Sequence, residues 1–247
     1  MRWIGHCGLA AGRHGGAPDI ACLDAALALG LDRLEVDVCV TADAALVLHH
    51  DGVLPDGTPL AGVDLHAARG AGRLLTVDEA LEHLGGRLPL LLDLKGAAVV
   101  EPLGAWLAGR GGATGLAVCT DDAAALRRLG ELAPAVARWR TLPEVPGGRG
   151  ESRRRIVAAL TRHRLVARLG GLAAEVGAAG LCVDQWAVSR GLCAEAHRLG
   201  LEVVAWTVNA ALPARAMRRA GVDLITTDRP AAMRRALGET APSPAAG

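Results

Sequence analysis

Short apolar runs recur along the chain, and each is followed by a longer Ala/Leu/Arg segment of helical period. That alternation predicts a parallel α/β fold, because a strand buried on both faces is apolar throughout and needs a crossover helix to reach its neighbour. The expected strands are Arg2–His6, Arg33–Val38, Ala45–His49, Leu88–Leu94, Leu116–Cys119, Ala135–Trp139, Leu181–Val183, Glu202–Thr207 and Asp223–Thr226. Only six residues separate Val38 from Ala45, too few for a crossover, so the third run is expected to return antiparallel as a hairpin. Setting it aside leaves eight strand-and-helix units, with helices such as Ile20–Leu29, Asp121–Leu129, Arg190–Leu199 and Ala211–Ala220. The prediction is a single (β/α)8 TIM barrel over residues 1–238, with a short antiparallel hairpin and a small loop or cap after the second strand.

The other segments are expected to be less regular. Asp51–Arg73 is rich in Gly and Pro and should form the loop or cap beside the mouth, and Pro143–Gly150 an irregular connection. Arg153, Arg154 and Arg155 fit the solvated start of a helix, and Glu239–Gly247 a disordered tail.

Composition narrows the classes. The 247 residues carry 27 Lys and Arg against 26 Asp and Glu, and neither Tyr nor Phe. A nucleic-acid partner is not expected, since such sites need a basic field and stacking rings. No apolar run approaches the roughly 20 residues of a membrane-spanning helix. The six cysteines lack metal-type spacing, and the start of the chain lacks a leader pattern, so a cytoplasmic protein is expected. Composition is silent on oligomeric state. Among the 27 basic residues only Lys95 is lysine, Asn209 is the only asparagine and Gln185 the only glutamine. Ammonium and guanidinium differ in shape, hydration and acidity, so a lone lysine is a candidate for chemistry that arginine cannot perform.

Glu35 and Asp37 lie two apart in one strand and share its inward face, as do Asp93 and Lys95 in another. Either pair alone could be charge leaving the hydrophobic layer for the rim. Together, three carboxylates from two strand ends would repel and lose hydration unless a hard cation joins them, which suits Mg²⁺ or Ca²⁺. His6 ends the first strand, and His49-His50-Asp51 ends the antiparallel run that descends towards the mouth, where barrel active sites sit. Two histidines beside a cation offer a general acid and a general base near neutral pH, as phosphate ester cleavage requires.

The ordered set Glu35-Val36-Asp37, Thr41-Ala42-Asp43, His50-Asp51, Asp93-Leu94-Lys95, Trp206-Thr207-Val208-Asn209 and Ile225-Thr226-Thr227-Asp228 resembles the glycerophosphodiester phosphodiesterase family from about Trp3 to Pro230. The resemblance implies a metal-dependent hydrolase that splits a small-molecule glycerophosphodiester into an alcohol and glycerol 3-phosphate. It implies Glu35, Asp37 and Asp93 as metal ligands, His6 and His50 as the acid/base pair, and Lys95 and Trp206 as substrate contacts. Counting from Thr41 selects His50 over His49, which is assigned a structural or rim role.

The sequence also departs from that pattern. Cys7 stands where the family has a phosphate-binding Arg, and a thiol supplies neither the charge nor the fork of a guanidinium. Arg13 is a candidate replacement. Asp93 replaces a Glu, the family's Pro-Glu-Asn-Thr segment is missing with Asp19 the nearest acid, and Gly52–Pro59 lacks the expected Arg-Thr-Thr. These departures keep two alternatives in view: a ligand-binding or regulatory barrel without turnover, and a lyase that stops at a cyclic phosphate.

Overall fold

The computed structural model describes residues 1–10, 16–110, 115–146 and 150–239. Nine strands are found among them: β1 (Arg2–Gly5), β2 (Arg33–Val40), β3 (Leu46–Leu48), β4 (Leu90–Leu94), β5 (Leu116–Thr120), β6 (Ala137–Thr141), β7 (Gly180–Asp184), β8 (Glu202–Trp206) and β9 (Leu224–Thr227). They pair in the order β1-β9-β8-β7-β6-β5-β4-β2-β3, and β1 also pairs with β2, which closes eight parallel strands into a barrel. β3 lies outside that ring, antiparallel to β2 through Val38 with Leu48 and Val40 with Leu46, the hairpin the spacing requires.

Helices α1 (Ile20–Ala28), α3 (Val77–Leu84), α4 (Val100–Ala108), α5 (Ala123–Leu132), α6 (Glu151–Ala174), α7 (Arg190–Arg198), α8 (Ala211–Ala220) and α9 (Pro230–Leu237) return the chain between strands. Strand alternation divides the core. On β2, Leu34, Val36, Val38 and Val40 face outward and pack among the helices, whereas Glu35 and Asp37 face inward. The barrel interior is filled by Ile4, Leu91, Ala117, Cys119, Trp139, Cys182, Val204 and Leu224. Its middle is therefore packed with apolar side chains, with the Arg33 guanidinium 5.3 Å from the Trp139 ring centroid and the carboxylates at the carboxyl ends of the strands. Among the described residues no helix is long and apolar enough to cross a membrane.

Four local expectations are revised. Asp51–Arg73 holds a helix, α2 (Leu65–Ala71), because Asp64 caps it by accepting from Ala67 N at 2.7 Å. Cys39, Val47, Leu54, Leu60, Ala68 and Leu74 give this cap a small core of its own. β6 begins two residues later than expected, since Val136 N donates to Ala133 O in a turn and the chain is not yet extended there. Arg154 is not solvated like Arg153: it turns inward to pair with Glu144 and lies 3.9 Å from Asp184. Glu239 is fixed rather than loose, accepting from Trp3 Nε1 at 2.8 Å. Residues 240–247, with the rest of the expected tail, and Arg13 lie outside the described residues.

Candidate active site

His6, Glu35, Asp37, His50, Asp93, Lys95 and Trp206 line one cavity of about 350 Å³ at the carboxyl ends of the strands. All seven residues expected from the sequence are thus brought together. A larger cavity of about 610 Å³ lies under the cap beside His49 and Asp51, but it contains neither the inward carboxylates nor His6. The chemistry places the site in the smaller one.

Glu35 and Asp37 come from β2 and Asp93 from β4, whose register sets Asp37 directly opposite Asp93. One oxygen from each of the three carboxylates lies within 4.8 Å of the others. Lys95 Nζ spans two of them, at 2.8 Å from Asp37 Oδ1 and 2.6 Å from Asp93 Oδ2. The solitary lysine therefore compensates a charge cluster, but one ammonium among three carboxylates leaves the site negative. Burial, and then the neighbouring Asp37 charge, pushes the Glu35 carboxyl up to about 8. Asp93 is raised by burial against the opposing pull of Lys95, whose own pKa is raised because Asp93 and Asp37 outweigh its burial. Asp37 Oδ2 is buried without a hydrogen-bond partner. An orphan carboxylate oxygen inside an all-oxygen trio fits a hard divalent cation, which would remove both the repulsion and the missing contact.

The turn after β1 shapes the other wall. Cys7, Gly8 and Leu9 all have positive φ, at 49°, 58° and 62°. This costly conformation for two non-glycine residues directs Cys7 N onto Glu35 Oε2 at 2.6 Å. The Cys7 thiol is buried beside Asp37 and donates to Gly16 O at 3.5 Å, and it does not line the cavity. Gly16 is also constrained: its φ is 79°, and a Cβ there would lie 2.5 Å from His50 Cβ.

The three histidines are held differently. His6 Nδ1 lies 2.7 Å from Asp228 Oδ1. Burial opposes its charged form, but the hydrogen bond to Asp228 and the charges of Glu35, Asp228 and Asp37 outweigh it, so its pKa is raised. His50 Nδ1 lies 2.6 Å from Asp51 Oδ1 at an exposed position. His49 is buried, and its Nδ1 accepts from Asp51 N at 3.2 Å and Gly52 N at 3.1 Å. Burial, partly offset by Asp51, lowers its pKa. It is absent from the wall of the cavity that His6 and His50 line.

Asp19 has no part in the cavity wall; it caps α1 through Cys22 N at 3.0 Å. Asp228 stands in the sequence only as the last residue of the motif Ile225-Thr226-Thr227-Asp228, with no role of its own assigned. Its signal was the pairing of β1 with β9, which sets Gly5 opposite Thr227 and so brings His6 and Asp228 together.

The model of the glycerophosphoryl diester phosphodiesterase family matches residues 20–86 and 110–232. A search of curated proteins returns no match. Among solved structures, a Silicibacter pomeroyi protein assigned as a glycerophosphoryl diester phosphodiesterase is 26% identical, with a TM-score of 0.68 over 96% of this chain and 93% of that one. A glycerophosphodiester phosphodiesterase from Parabacteroides distasonis is 20% identical, with a TM-score of 0.75 over 96% of each chain. An Oleispira antarctica phosphodiesterase, solved with the product sn-glycerol-3-phosphate, is 21% identical, with a TM-score of 0.70 over 97% of each chain. The chain belongs to the glycerophosphoryl diester phosphodiesterase family and is a phosphoric diester hydrolase.

Proposed function

We propose that the protein is a divalent-cation-dependent hydrolase of small glycerophosphodiesters, releasing an alcohol and glycerol 3-phosphate. The observation that carries this reading is the convergence of two histidines, three carboxylates and the single lysine on one cavity at the barrel mouth. Glu35, Asp37 and Asp93 would hold Mg²⁺ or Ca²⁺. Such an ion supplies Lewis-acid neutralisation of charge growing on phosphoryl oxygens.

The chain's own groups account for the rest. One of His6 and His50 takes the proton from a neighbouring glycerol hydroxyl as its oxygen attacks phosphorus, and the other gives a proton to the departing alkoxide. The cyclic phosphate formed is opened by water with the two roles exchanged. Lys95, already among the carboxylates, contributes a second positive charge to the phosphoryl oxygens. The half-buried Trp206 offers a flat wall to the glycerol carbons, and its Nε1 is a buried donor without a partner. All six cysteines are free and buried, which suits a reducing, cytoplasmic compartment.

The test is product analysis by phosphorus NMR with several glycerophosphodiesters, in the presence of Mg²⁺ or Ca²⁺. Open glycerol 3-phosphate is expected from the wild type, and none from His6→Ala or His50→Ala. Cyclic phosphate as the sole product would replace hydrolysis with a lyase end point. No product from any substrate would refute the proposal.

A further inference from the structure

His6 and His50 each meet a carboxylate, yet the two pairs are built differently. His50 and Asp51 are neighbours in sequence, with side chains 47% and 57% exposed. His6 and Asp228 come from the ends of adjacent parallel strands, joined by His6 N donating to Thr227 O at 3.1 Å, and their side chains are 29% and 28% exposed. Both oxygens of Asp228 are committed. Oδ1 meets His6 Nδ1, and Oδ2 accepts from Asn209 Nδ2 at 2.5 Å. Asn209 is held in turn, because its Oδ1 accepts from Asp228 N and from Thr227 Oγ1, both at 2.9 Å. A backbone N–H can only donate, so the orientation of the Asn209 amide is set by the main chain rather than by a choice of flip.

We infer that Asp228, clamped by Asn209, is the positioning residue that fixes His6 in one tautomer and one ring orientation for the phosphodiesterase reaction. The inference rests on the hydrolase reading for its catalytic consequence only. With the Nδ1 proton donated to Asp228, Nε2 carries the lone pair on the cavity side. The ring can then take a proton and return it without rotating, while the carboxylate stabilises the imidazolium formed in between. The role explains why the only asparagine in the chain stands at position 209. The position needs a donor for a carboxylate and an acceptor for a backbone N–H in one short side chain. An Asp there would set two carboxylates against each other, and an apolar residue would leave the partners unpaired.

The clamp also dictates what Asp228→Asn should do. Because Asn209 Nδ2 must still find an acceptor, the new amide presents its oxygen to Asn209 and its NH₂ to His6. Nδ1 of His6 becomes an acceptor, and the ring is driven to the Nε2–H tautomer. Wild type, Asp228→Asn and Asn209→Ser would be compared by ¹⁵N NMR of labelled histidine, with melting curves as the folding control, and by steady-state kinetics on a glycerophosphodiester. For Asp228→Asn the expectation is a switch of the His6 tautomer and a loss of kcat of about 10³-fold, with KM changed less than about threefold. For Asn209→Ser, which frees the carboxylate without removing it, the expectation is a loss of roughly tenfold in kcat with the Nδ1–H tautomer retained. A merely structural Asp228 would lower melting temperature without switching the tautomer. Retention of Nδ1–H in Asp228→Asn, or a kcat within about threefold of wild type, would overturn the inference. Should Asp228→Asn not fold, a wild-type His6 in the Nε2–H form would do the same, as would an unchanged kcat in Asn209→Ser. A wild type inactive on every diester but showing the predicted tautomers would refute the hydrolase reading alone.

Discussion

Replacing Lys95 by methionine keeps the unbranched stem out to Cε and removes the ammonium from between Asp37 and Asp93. At 2.6–2.8 Å and an effective dielectric of about 20, each contact is worth about 6 kcal/mol of gross attraction. Most of that offsets the lost hydration of the three groups. What the substitution costs is the penalty of leaving buried carboxylates uncompensated, which is about 3–5 kcal/mol for a fully buried pair. The Lys95 and Asp93 side chains are 28% and 24% exposed, so the lower end, about 3 kcal/mol, applies. For a domain of this size that is a fall in melting temperature of roughly 6–12 °C. The fall should be seen in chelator, where Lys95 is the main counter-charge. With saturating Ca²⁺ or Mg²⁺ it should shrink, because the cation takes over the same carboxylates and no longer competes with an ammonium. Scanning fluorimetry of both proteins in EDTA and across a cation titration measures this. A variant that melts within about 2 °C of wild type in EDTA would rule out this counter-charge role for Lys95, as would a gap that no cation narrows.

Further predictions concern the same wall. Glu35 keeps its proton up to about 8 in the folded, cation-free protein, whereas an unfolded chain loses it near the ordinary carboxylate value. Stability without cation should therefore be fullest in acid and fall as pH rises towards 8, by at most about 1.4 kcal/mol per pH unit from this group. Cation affinity, measured by calorimetry, should rise over that window as the bound proton is displaced more easily; flat affinity would contradict the assignment. Gly16→Ala should lower kcat sharply, since the positive φ costs about 1–2 kcal/mol and the added methyl displaces His50; unchanged turnover would show that His50 is not held by this contact. Cys7→Arg should raise kcat/KM on glycerophosphodiesters by supplying the missing fork. An unchanged or lower rate would mean that the β1 turn has been rebuilt around the buried thiol.

The barrel and the four charged cavity residues were legible from strand alternation, His6 from its place at a strand end, and His50 and Trp206 only through the family resemblance. Glu35, Asp37, Asp93 and Lys95 alternate with apolar residues, and Leu34, Val36, Val38, Leu92 and Leu94 mark the opposite, outward face of the same runs. Features that depend on pairing across the chain were harder to read. Asp228 reaches His6 across 222 positions, and Glu239 reaches Trp3 across 236, so no local pattern announces either contact. The start of β6 is masked in the sequence because Ala135 and Val136 are apolar, while the residues that extend include Arg138 and Arg140. Arg138 explains why such a strand persists: its Nε donates to Val176 O at 2.9 Å, and its guanidinium covers the turn that follows α6. In the cap, the Gly and Pro content hid a short helix that one N-cap aspartate suffices to start.

In the proposed reaction, turnover depends on a cation held by the Glu35, Asp37 and Asp93 carboxylates. The most direct test of this dependence is a titration of Ca²⁺ into metal-stripped protein, following glycerol 3-phosphate release and bound cation in parallel. No turnover is expected in EDTA, with coincident one-site curves for binding and rate and loss of both in Asp37→Asn. Full turnover in EDTA, or a cation bound as tightly by Asp37→Asn as by wild type, would contradict it.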